Sequence, residues 1–508
     1  MKSLAKNVAI ITFFTVITRL MGFLFRIFLS RAIGSEALGI YQAALSIFFV
    51  FLTIVSSGFT LIISRMTASF RAKNDKKSVS NLVTSCLLLG VVVSIVLTLL
   101  VLVCKGVLRH AFAEEECINV LIILLPSLVF SAVYCVFRGA MWGNDNYFGL
   151  CISEFVEQVV KIVVCILLLS ATMSALQSAS SVAWAFTISC VVSAGFAAAI
   201  YFAYGGKLGR ATNVYKKVLR QAAPITGVRV LGSFTQPLVA LILPARLIKV
   251  GYTATQAMSI YGVAIGMTAP LLFLPAMLIG SLTTALVPDV SMAMAKNDIN
   301  HIQKRVQTSV NFALLVSFVV APIFLAVGDK IGVFLFDNAL SGTLLQFSAW
   351  MMIPMGLTNI SSAILNSVGY EVKSFINFVL GDIFMFLALF FLPQFIGINA
   401  LIVGMGVSYV IAGFLNFVML KKKLKIKISI APRLALLILL SLPTVALTSF
   451  TSSLLSFCMP LAINLILSCS LGFVVFVFLC MVFGVLDLST IWVGVKKKFG
   501  KNKPKIAR

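Results

Sequence analysis

The stretch "TVITRLMGFLFRIFLSRAIG" (residues 15–34) resembles a membrane helix, yet it carries Arg19 and Arg26 among leucines and phenylalanines. The whole chain is 60% hydrophobic and only 11% charged, whereas about a quarter of the residues in a soluble domain are charged. Apolar runs of roughly 20 residues, enough to cross a hydrocarbon core about 30 Å thick, recur along its length. The sequence therefore predicts an all-α polytopic membrane protein.

Fourteen apolar runs are candidates for transmembrane helices. They cover about residues 8–30, 37–64, 79–104, 117–141, 148–171, 181–204, 218–245, 256–287, 307–328, 344–367, 374–396, 399–420, 434–456 and 460–484. The first run is too long for a cleaved signal peptide, and its arginines lie inside it. We therefore expect about 14 transmembrane helices.

The distribution of basic residues predicts the orientation. The net charge is +25, and most Lys and Arg lie in segments that are cytoplasmic if the N-terminus is cytoplasmic, such as "RMTASFRAKNDKK" and "KKKLKIKISIAPR". This asymmetry follows the positive-inside rule and fits an even number of spans with both termini in the cytoplasm. Contacts of the basic loops with anionic membrane lipids account for the charge, so no nucleic acid is expected as a partner.

The sequence offers little for cofactor or enzyme chemistry. The ten cysteines lie almost all in apolar spans and form no C-x-x-C pair, and the two histidines, His110 and His301, lie in predicted loops. No metal or other cofactor is expected. A P-loop, a G-x-S-x-G motif and an H-E-x-x-H motif are all missing. We expect no enzyme, and any energy should come from an ion gradient, the membrane potential or the substrate gradient.

The chain repeats itself. "ALGIYQAAL" from residue 37 matches "AMSIYGVAI" from residue 257, and "RAKND" before residue 76 matches "MAKND" before residue 299. The pattern predicts two parallel six-helix repeats, as in transporters that bind substrate between two halves. The predicted parts are an N-terminal lobe (1–210), a C-terminal lobe (211–425), transmembrane helices 13 and 14 (426–486) and a basic cytoplasmic tail (487–508).

The polar residues of the first span follow one helical face, because they are spaced 3, 4, 3 and 4 apart. They are Thr12, Thr15, Arg19, Gly22 and Arg26. An arginine near mid-bilayer costs at least about 2.5–3.5 kcal/mol, so it should face a water-filled cavity or a partner. Two interpretations stay open: the arginines bind an anionic substrate, or Arg26 reaches outward to the interface while Arg19 pairs with an acid such as Glu154 or Glu157.

Further polar residues extend the candidate site. Span two has a stripe of hydroxyl residues that includes Ser57, with Gln42 above it, and such a stripe also fits a close helix–helix contact. Arg229 and Gln236 form a shorter version on span seven, where Pro237 predicts a kink. The candidate substrate-binding residues are Arg19, Arg26, Gln42, Ser57, Arg229 and Gln236.

Acidic residues inside the predicted membrane form a second group. Glu154, Glu157 and Lys161 share one face of span five, and Asp382 is a single acid on span eleven. A neutralised pair, a counter-ion for the arginines and a proton or cation coupling site are all open interpretations. These four residues are the coupling or counter-ion candidates.

Three stretches carry a family resemblance: "TRLMGFLFRIFLSRAIGSEALGIYQAALSIFF", "SSGFTLIISRMTA" and "LIGSLTTALVPDVS". With the pattern of six, six and two spans, they resemble the polysaccharide-transporter branch of the multidrug/oligosaccharidyl-lipid/polysaccharide exporter superfamily. Within it, the chain is most similar to stage V sporulation protein B-like lipid-linked oligosaccharide flippases. The resemblance covers essentially the whole chain.

The resemblance implies a protein of the bacterial inner membrane that moves a polyprenyl-diphosphate-linked oligosaccharide or peptidoglycan precursor to the outer leaflet by alternating access. By the same resemblance, Arg19 and Arg26 would hold the diphosphate, and cell-wall synthesis proteins are possible partners. Other cavity arginines of related lipid II flippases have no match, since span two has only Arg65 at its end. The alternatives are a drug/cation antiporter of the same fold and a non-transporting scaffold for cell-wall assembly.

Overall fold

The computed structural model describes residues 2–56, 58–170, 172–212, 214–296, 298–424 and 429–486. Within these residues the chain is almost entirely helical and contains no strand, which confirms the all-α prediction. Two of the sequence predictions, the candidate residue Ser57 and the basic tail at 487–508, lie outside the described residues.

The first part of the chain forms eight helices. They are α1 (Lys2–Ser56), α2 (Phe59–Ala72), α3 (Lys76–Val103), α4 (Lys105–Ala111), α5 (Cys117–Leu124), α6 (Pro126–Gly143), α7 (Tyr147–Leu168) and α8 (Ala175–Ala203). A further four helices precede the second "KND" match, with a π-helical segment at Gly262–Thr268 between the last two. They are α9 (Val214–Ser233), α10 (Thr235–Lys249), α11 (Ala254–Tyr261) and α12 (Ala269–Ala295).

The remaining helices run to residue 482. They are α13 (Ile299–Phe336), α14 (Ala339–Ser348), α15 (Met352–Ser367), α16 (Glu371–Phe391), α17 (Pro393–Ile396), α18 (Asn399–Leu424), α19 (Ala431–Leu455) and α20 (Leu461–Val482). A 3₁₀ turn at Ala349–Met351 joins α14 to α15.

Glycines mark two special positions in the first helices. Gly34 has φ of 75° inside α1, a left-handed conformation that separates the first predicted span from the second. The predicted span over 37–64 comprises the last part of α1, which ends at Ser56, and the start of α2 at Phe59, and its single crossing stays a prediction. Gly58 directly precedes α2, and a Cβ atom there would collide with Thr226 Oγ1 of α9. The close approach of α9 therefore requires a residue without a side chain.

Prolines mark two further irregularities. The helices α9 and α10 meet at Phe234, three residues before Pro237, whose missing N–H cannot continue the hydrogen-bond ladder. The π-helical segment Gly262–Thr268 ends two residues before Pro270. A proline has no N–H, so it leaves a backbone carbonyl of the preceding turn without a donor. A local π-helical segment is one way in which a membrane helix satisfies such a carbonyl. The helix of span seven is interrupted next to Pro237, and the kink itself stays a prediction.

Eleven helical stretches of the described residues are long and apolar enough to cross a membrane. One of them, residues 10–72, is 63 residues long and contains the break at Gly34, so it holds more than one crossing. The prediction of a multi-pass membrane protein is confirmed. The count of fourteen spans and the cytoplasmic placement of both termini stay predictions.

The chain packs into two compact units. The first comprises Met1–Pro270 and Asp382–Gly404, and the second comprises Leu271–Gly381 and Met405–Arg508. In the first unit, buried residues of α2, α3, α6, α8 and α9 form one core. In the second, α19 and α20 share a core with α12, α13, α15 and α18. The division into two sequence repeats, two additional helices and a tail stays a prediction.

Two pairs of matched repeat positions have the same structural role. Tyr41 and Tyr261 are both buried. Asp75 caps α3 by accepting a hydrogen bond from Ser78 N at 2.9 Å, and Asp298 caps α13 by accepting one from His301 N at 3.0 Å. The side-chain cap satisfies an amide that the first helical turn leaves without a partner. The helices that follow the two matched sequences, α3 and α13, therefore start with the same kind of cap.

Candidate substrate-binding site

The side chains of Arg19 and Arg26 on α1 are both exposed. Large exposed apolar side chains of the same helix form a separate stripe, expected to contact lipid, that includes Val16, Leu20 and Leu24. At 3.6 residues per turn, the two arginines lie about 110° around the helix from the centre of that stripe. The two arginine side chains are therefore exposed but do not belong to the lipid-facing stripe.

The arginine face of α1 lies against α7. Gly22 is between the two arginines on this face, and a Cβ atom there would come within 3.6 Å of Gln158 Nε2 on α7. The Gln158 Nε2 atom is buried and has no hydrogen-bond partner in the described part of the chain. Two polar faces that the sequence indicated separately are thus brought together.

An ion pair links α6 to α7. A guanidinium nitrogen of Arg138 contacts Glu154 Oε1, with 36% of the Arg138 side chain and 30% of the Glu154 side chain exposed. Sequence reasoning did not single out Arg138. The signal was available, because Arg138 is an arginine inside the predicted span 117–141, as Arg19 is inside the first.

The charges continue along α7 towards α1. Glu157 interacts electrostatically with Lys161 and Arg138, and Lys161 in turn interacts with Arg26. These residues and Glu154 form one connected group, to which Arg19 adds a further cation on the arginine face. Four cations against two carboxylates leave a formal charge of +2. The group therefore has an excess of positive charge that an anion could neutralise.

The interpretation in which Arg19 pairs with Glu154 is not what the structure shows, because Glu154 pairs with Arg138. Among the described residues, neither Arg19 nor Arg26 forms an ion pair with a carboxylate. The acids of α7 have cations of α6 and α7 as their nearest opposite charges. The α1 arginines are thus left as the cations available to a ligand.

Hydroxyl groups of the stripe on span two form hydrogen bonds within the protein. Thr53 Oγ1 donates a hydrogen bond to Phe49 O at 2.7 Å, and Thr60 Oγ1 reaches the carbonyl of Cys135 on α6 at 3.4 Å. The bond of Thr53 stays within α1, whereas the bond of Thr60 joins α2 to α6 and favours the helix–helix contact that was left open for this stripe. Gln42 is half-buried on α1.

Asp382 is not an isolated acid. It is buried on α16, and its Oδ2 accepts a hydrogen bond from Thr235 Oγ1 at 2.7 Å. Gln236, the next residue of α10, is exposed, as is Arg229 on α9. Since α9 and α10 also pack against α1, the candidates of span seven belong to the same compact unit as the arginine face.

No group of three or more His, Cys, Asp or Glu side chains is arranged to hold a metal ion in the described part of the chain. The ten cysteines are free thiols, and most are buried separately in helices. The polar groups that come together are guanidinium, ammonium, carboxylate and amide groups. The guanidinium, ammonium and amide groups of this set are donors that can form charge-assisted hydrogen bonds with an anion.

The chain is a multi-pass helical membrane protein with cationic side chains on neighbouring faces of α1, α6 and α7. The chain belongs to the polysaccharide biosynthesis protein family, whose model matches residues 4–294. This match bears out the resemblance predicted from the sequence.

Two curated relatives come from Bacillus subtilis (strain 168). Stage V sporulation protein B is 25% identical over 331 residues, which are 62% of this chain and 63% of that protein. The aligned region thus spans less than two thirds of that relative. The sporulation protein YkvU is 19% identical over 62% of this chain and 71% of its own length.

Two solved structures share the fold. The lipid II flippase MurJ in an inward closed conformation has a TM-score of 0.70 at 15% identity, over 93% of this chain and 98% of that one. An inward-facing multidrug resistance MATE family transporter of the MOP superfamily has a TM-score of 0.68 at 15% identity, over 80% of this chain and 94% of that one. The chain therefore has the transporter fold of this superfamily. These neighbours are transporters and a flippase rather than enzymes, as predicted for this chain.

Proposed function

We propose that this protein is a flippase that moves a polyprenyl-diphosphate-linked oligosaccharide or peptidoglycan precursor from the inner to the outer leaflet of the bacterial cell membrane by alternating access. The observation that carries the proposal is the pair of exposed arginines, Arg19 and Arg26, on a polar face of α1 with no carboxylate partner among the described residues. The lipid-linked cargo of the flippase MurJ, which shares the fold, supports the same substrate class.

The proposed role of the arginines follows from their chemistry. A guanidinium group stays charged at any physiological pH and binds phosphate oxygens through two parallel N–H donors. Arg19 and Arg26 are two helical turns apart, about 10.5 Å along the axis, and thus offer consecutive sites to a diphosphate. In surroundings of low dielectric constant a fixed positive charge lowers the barrier to moving such a headgroup.

The acids of α7 have a supporting role in this proposal. Glu154 is held by Arg138, and Glu157 lies among Lys161 and Arg138, so each carboxylate compensates a cation other than the α1 arginines. Glu154, Glu157 and Lys161 then act as counter-ions that keep the site from becoming too positive. Asp382, which accepts a hydrogen bond from Thr235, is the coupling candidate outside this group.

A drug/cation antiporter is the second candidate, because a multidrug resistance transporter shares the fold. An organic cation needs a carboxylate that is free to receive it. On α7 the carboxylates already have cationic neighbours, and the excess charge of the site is positive. The geometry therefore favours an anionic cargo. A cell-wall scaffold without transport activity would need no exposed arginines on this face.

The test is transport of a polyprenyl-diphosphate-linked sugar in proteoliposomes. The full-length protein is compared with Arg19→Ala, Arg26→Ala and the matched control Lys421→Ala, which removes an exposed cation from the last turn of α18. We expect the two α1 variants to lose transport at least about tenfold, since each removes a charge-assisted contact worth about 1.5–3 kcal/mol. The control should transport at the wild-type rate.

Two results would contradict the proposal. If folded Arg19→Ala and Arg26→Ala variants transport as well as the wild type, the arginines do not bind the headgroup. If the wild type moves no lipid-linked sugar but exchanges organic cations for protons or sodium, the antiporter is the better description. Thermal unfolding of each variant separates loss of the site from loss of the fold.

A further inference from the structure

A cavity of about 1520 Å³ lies in the first compact unit, on the side that the distribution of basic residues predicts to be cytoplasmic. The ends of α2, α3, α6 and α8 and the segment at residues 204–212 form its walls. None of the transport-site residues described above lines it. Its lining therefore defines a separate feature, which we call the basal pocket.

The basal pocket is strongly cationic. Five of its lining residues are basic: Arg71, Lys76, Lys77, Lys207 and Arg210. Two carboxylates lie beside these cations: Asp145 pairs with Arg71 at 2.7 Å, and Asp75 interacts with Lys77. Five cations against two carboxylates leave a formal excess of three positive charges. This excess favours a ligand that carries phosphate groups.

One wall of the basal pocket is fixed in place. In the segment 204–212, Gly209 N donates a hydrogen bond to Thr84 Oγ1 and Arg210 N donates one to Asn81 Oδ1, each at 2.9 Å. Thr212 N likewise donates to Ser85 Oγ at 2.9 Å. A Cβ atom on Gly209 would collide with Asn81 Oδ1, so the segment needs glycine to lie this close to α3. The cations of the segment are therefore held beside those of α3.

The same wall presents apolar surface beside its charges. Tyr204 is 69% exposed and Leu208 is 52% exposed, and Leu208 lies next to Lys207 in the chain. Buried polar atoms without a partner among the described residues occur in the lining as well, at Asn146 Nδ2 and Thr212 Oγ1. Cations, polar atoms and exposed apolar groups together match an amphiphile better than a fully soluble anion.

We propose that the basal pocket binds the phosphate-bearing headgroup of an anionic membrane lipid. The cations of α3 and of the segment 204–212 contact the phosphate, and Tyr204 and Leu208 contact the start of the acyl chains. The volume exceeds the roughly 300–1,000 Å³ of an ordinary small-molecule site, which leaves room for a glycerophosphate headgroup and its linkages. This site is independent of the proposed transport activity.

The test measures lipid binding to the purified full-length protein by native mass spectrometry, with phosphatidylglycerol, phosphatidylcholine and inorganic pyrophosphate as separate probes. Lys207→Gln/Arg210→Gln removes two pocket cations. Lys216→Gln/Lys217→Gln removes two exposed cations of α9 that lie outside the pocket. A basic side chain near anionic lipid contributes about fivefold in affinity, so we expect the pocket variant to bind phosphatidylglycerol roughly 25-fold more weakly. The control should change less than twofold.

Three outcomes would overturn the proposal: equal weakening in both double variants, no weakening in the pocket variant, or equal binding of phosphatidylcholine and phosphatidylglycerol. Binding of pyrophosphate that is lost in the pocket variant, while phosphatidylglycerol binding persists, would assign the pocket to a soluble anion instead. If Lys207→Gln/Arg210→Gln does not fold, Lys76→Gln/Lys77→Gln tests the opposite wall with the same expected loss.

Discussion

A polar group of the second compact unit and the group on α1 and α7 in the first unit differ in their hydrogen bonding. In the second unit, Lys330 Nζ donates to Ser452 O at 3.0 Å and to Ser452 Oγ at 2.7 Å. Asn464 Nδ2 donates to the same carbonyl at 2.9 Å, and Ser468 Oγ donates to Asn464 Oδ1 at 2.9 Å. Ser452, Asn464 and Ser468 are buried, so this network joins α13, α19 and α20 internally.

The group on α1 and α7 in the first unit has the opposite character. Arg19 and Arg26 are exposed, and Gln158 Nε2 has no hydrogen-bond partner among the described residues. A polar network whose groups are satisfied holds helices together, whereas charged groups that lack partners inside the protein are available to a ligand. Both groups consist of polar residues in apolar helices, and their different hydrogen bonding supports a structural role for the first and the proposed binding role for the second.

The largest effect is expected from changes to the α1 arginine that interacts with Lys161. Arg26→Gln should lower transport of the lipid-linked sugar about 10- to 100-fold, because charge-assisted hydrogen bonds worth about 1.5–3 kcal/mol are lost. Arg26→Lys should have an intermediate rate, since the charge remains and the planar fork is lost. Initial rates in proteoliposomes measure both variants. Equal rates for Gln and Lys would show that charge at this position does not matter.

The next prediction concerns Glu154 of α7 and asks whether its ion pair with Arg138 stabilises the fold. Arg138→Gln leaves Glu154 without its partner, which costs about 3–5 kcal/mol for a fully buried pair. Because both side chains are about one-third exposed, we expect the free energy of unfolding to fall by about 1–2 kcal/mol, and Arg138→Gln/Glu154→Gln should recover most of it. Thermal unfolding in detergent measures the loss. If the double variant is no more stable than the single one, the pair does not act as a unit.

A comparable loss of stability without loss of transport is expected in the second unit. Asn464→Leu removes the bond to the carbonyl of Ser452 and the acceptor of Ser468 Oγ, so the unfolding free energy should fall by about 1–3 kcal/mol. Transport per folded molecule should stay within about twofold of the wild type. The pair of measurements is thermal unfolding and proteoliposome transport. A transport defect as large as that of Arg26→Gln would remove the distinction between the two groups.

The smallest expected effect concerns Asp75, the N-terminal cap of α3, which belongs to neither polar group. Hydrogen bonds from the Ser78 hydroxyl and backbone N–H hold the pKa of the Asp75 carboxyl below its usual range. The ionised form is favoured in the folded state, so its contribution to stability is present above the unfolded pKa of about 3.9 and is lost as pH falls through the lower folded value.

Asp75→Asn and Ser78→Ala should therefore lose less melting temperature between pH 5 and pH 3 than the wild type does. The measurement is the melting temperature of the detergent-solubilised protein across this pH range. An unchanged acid response in both variants would show that the bonds between Ser78 and Asp75 do not contribute to it.

The sequence was sufficient to predict the features that depend on a single helix. The spacing of Arg19, Gly22 and Arg26 defined a single face, and the apolar runs defined the class, since both depend only on helical periodicity and composition. It also placed Glu154, Glu157 and Lys161 on one face of α7. It did not single out Arg138, although the position of this arginine inside the predicted span 117–141 was visible, and only the structure shows that Arg138 pairs with Glu154 across two helices.

The sequence by itself determined that this is an all-α membrane protein with an unusual pair of arginines in its first span, because apolar length and the cost of charge in lipid are properties of each helix alone. Only the tertiary structure decided which charges are compensated. It pairs Glu154 with Arg138, gives Asp382 a partner in Thr235 and brings Gly22 against Gln158. These pairings depend on distances of a few ångströms between helices, and helical periodicity carries no information about such distances.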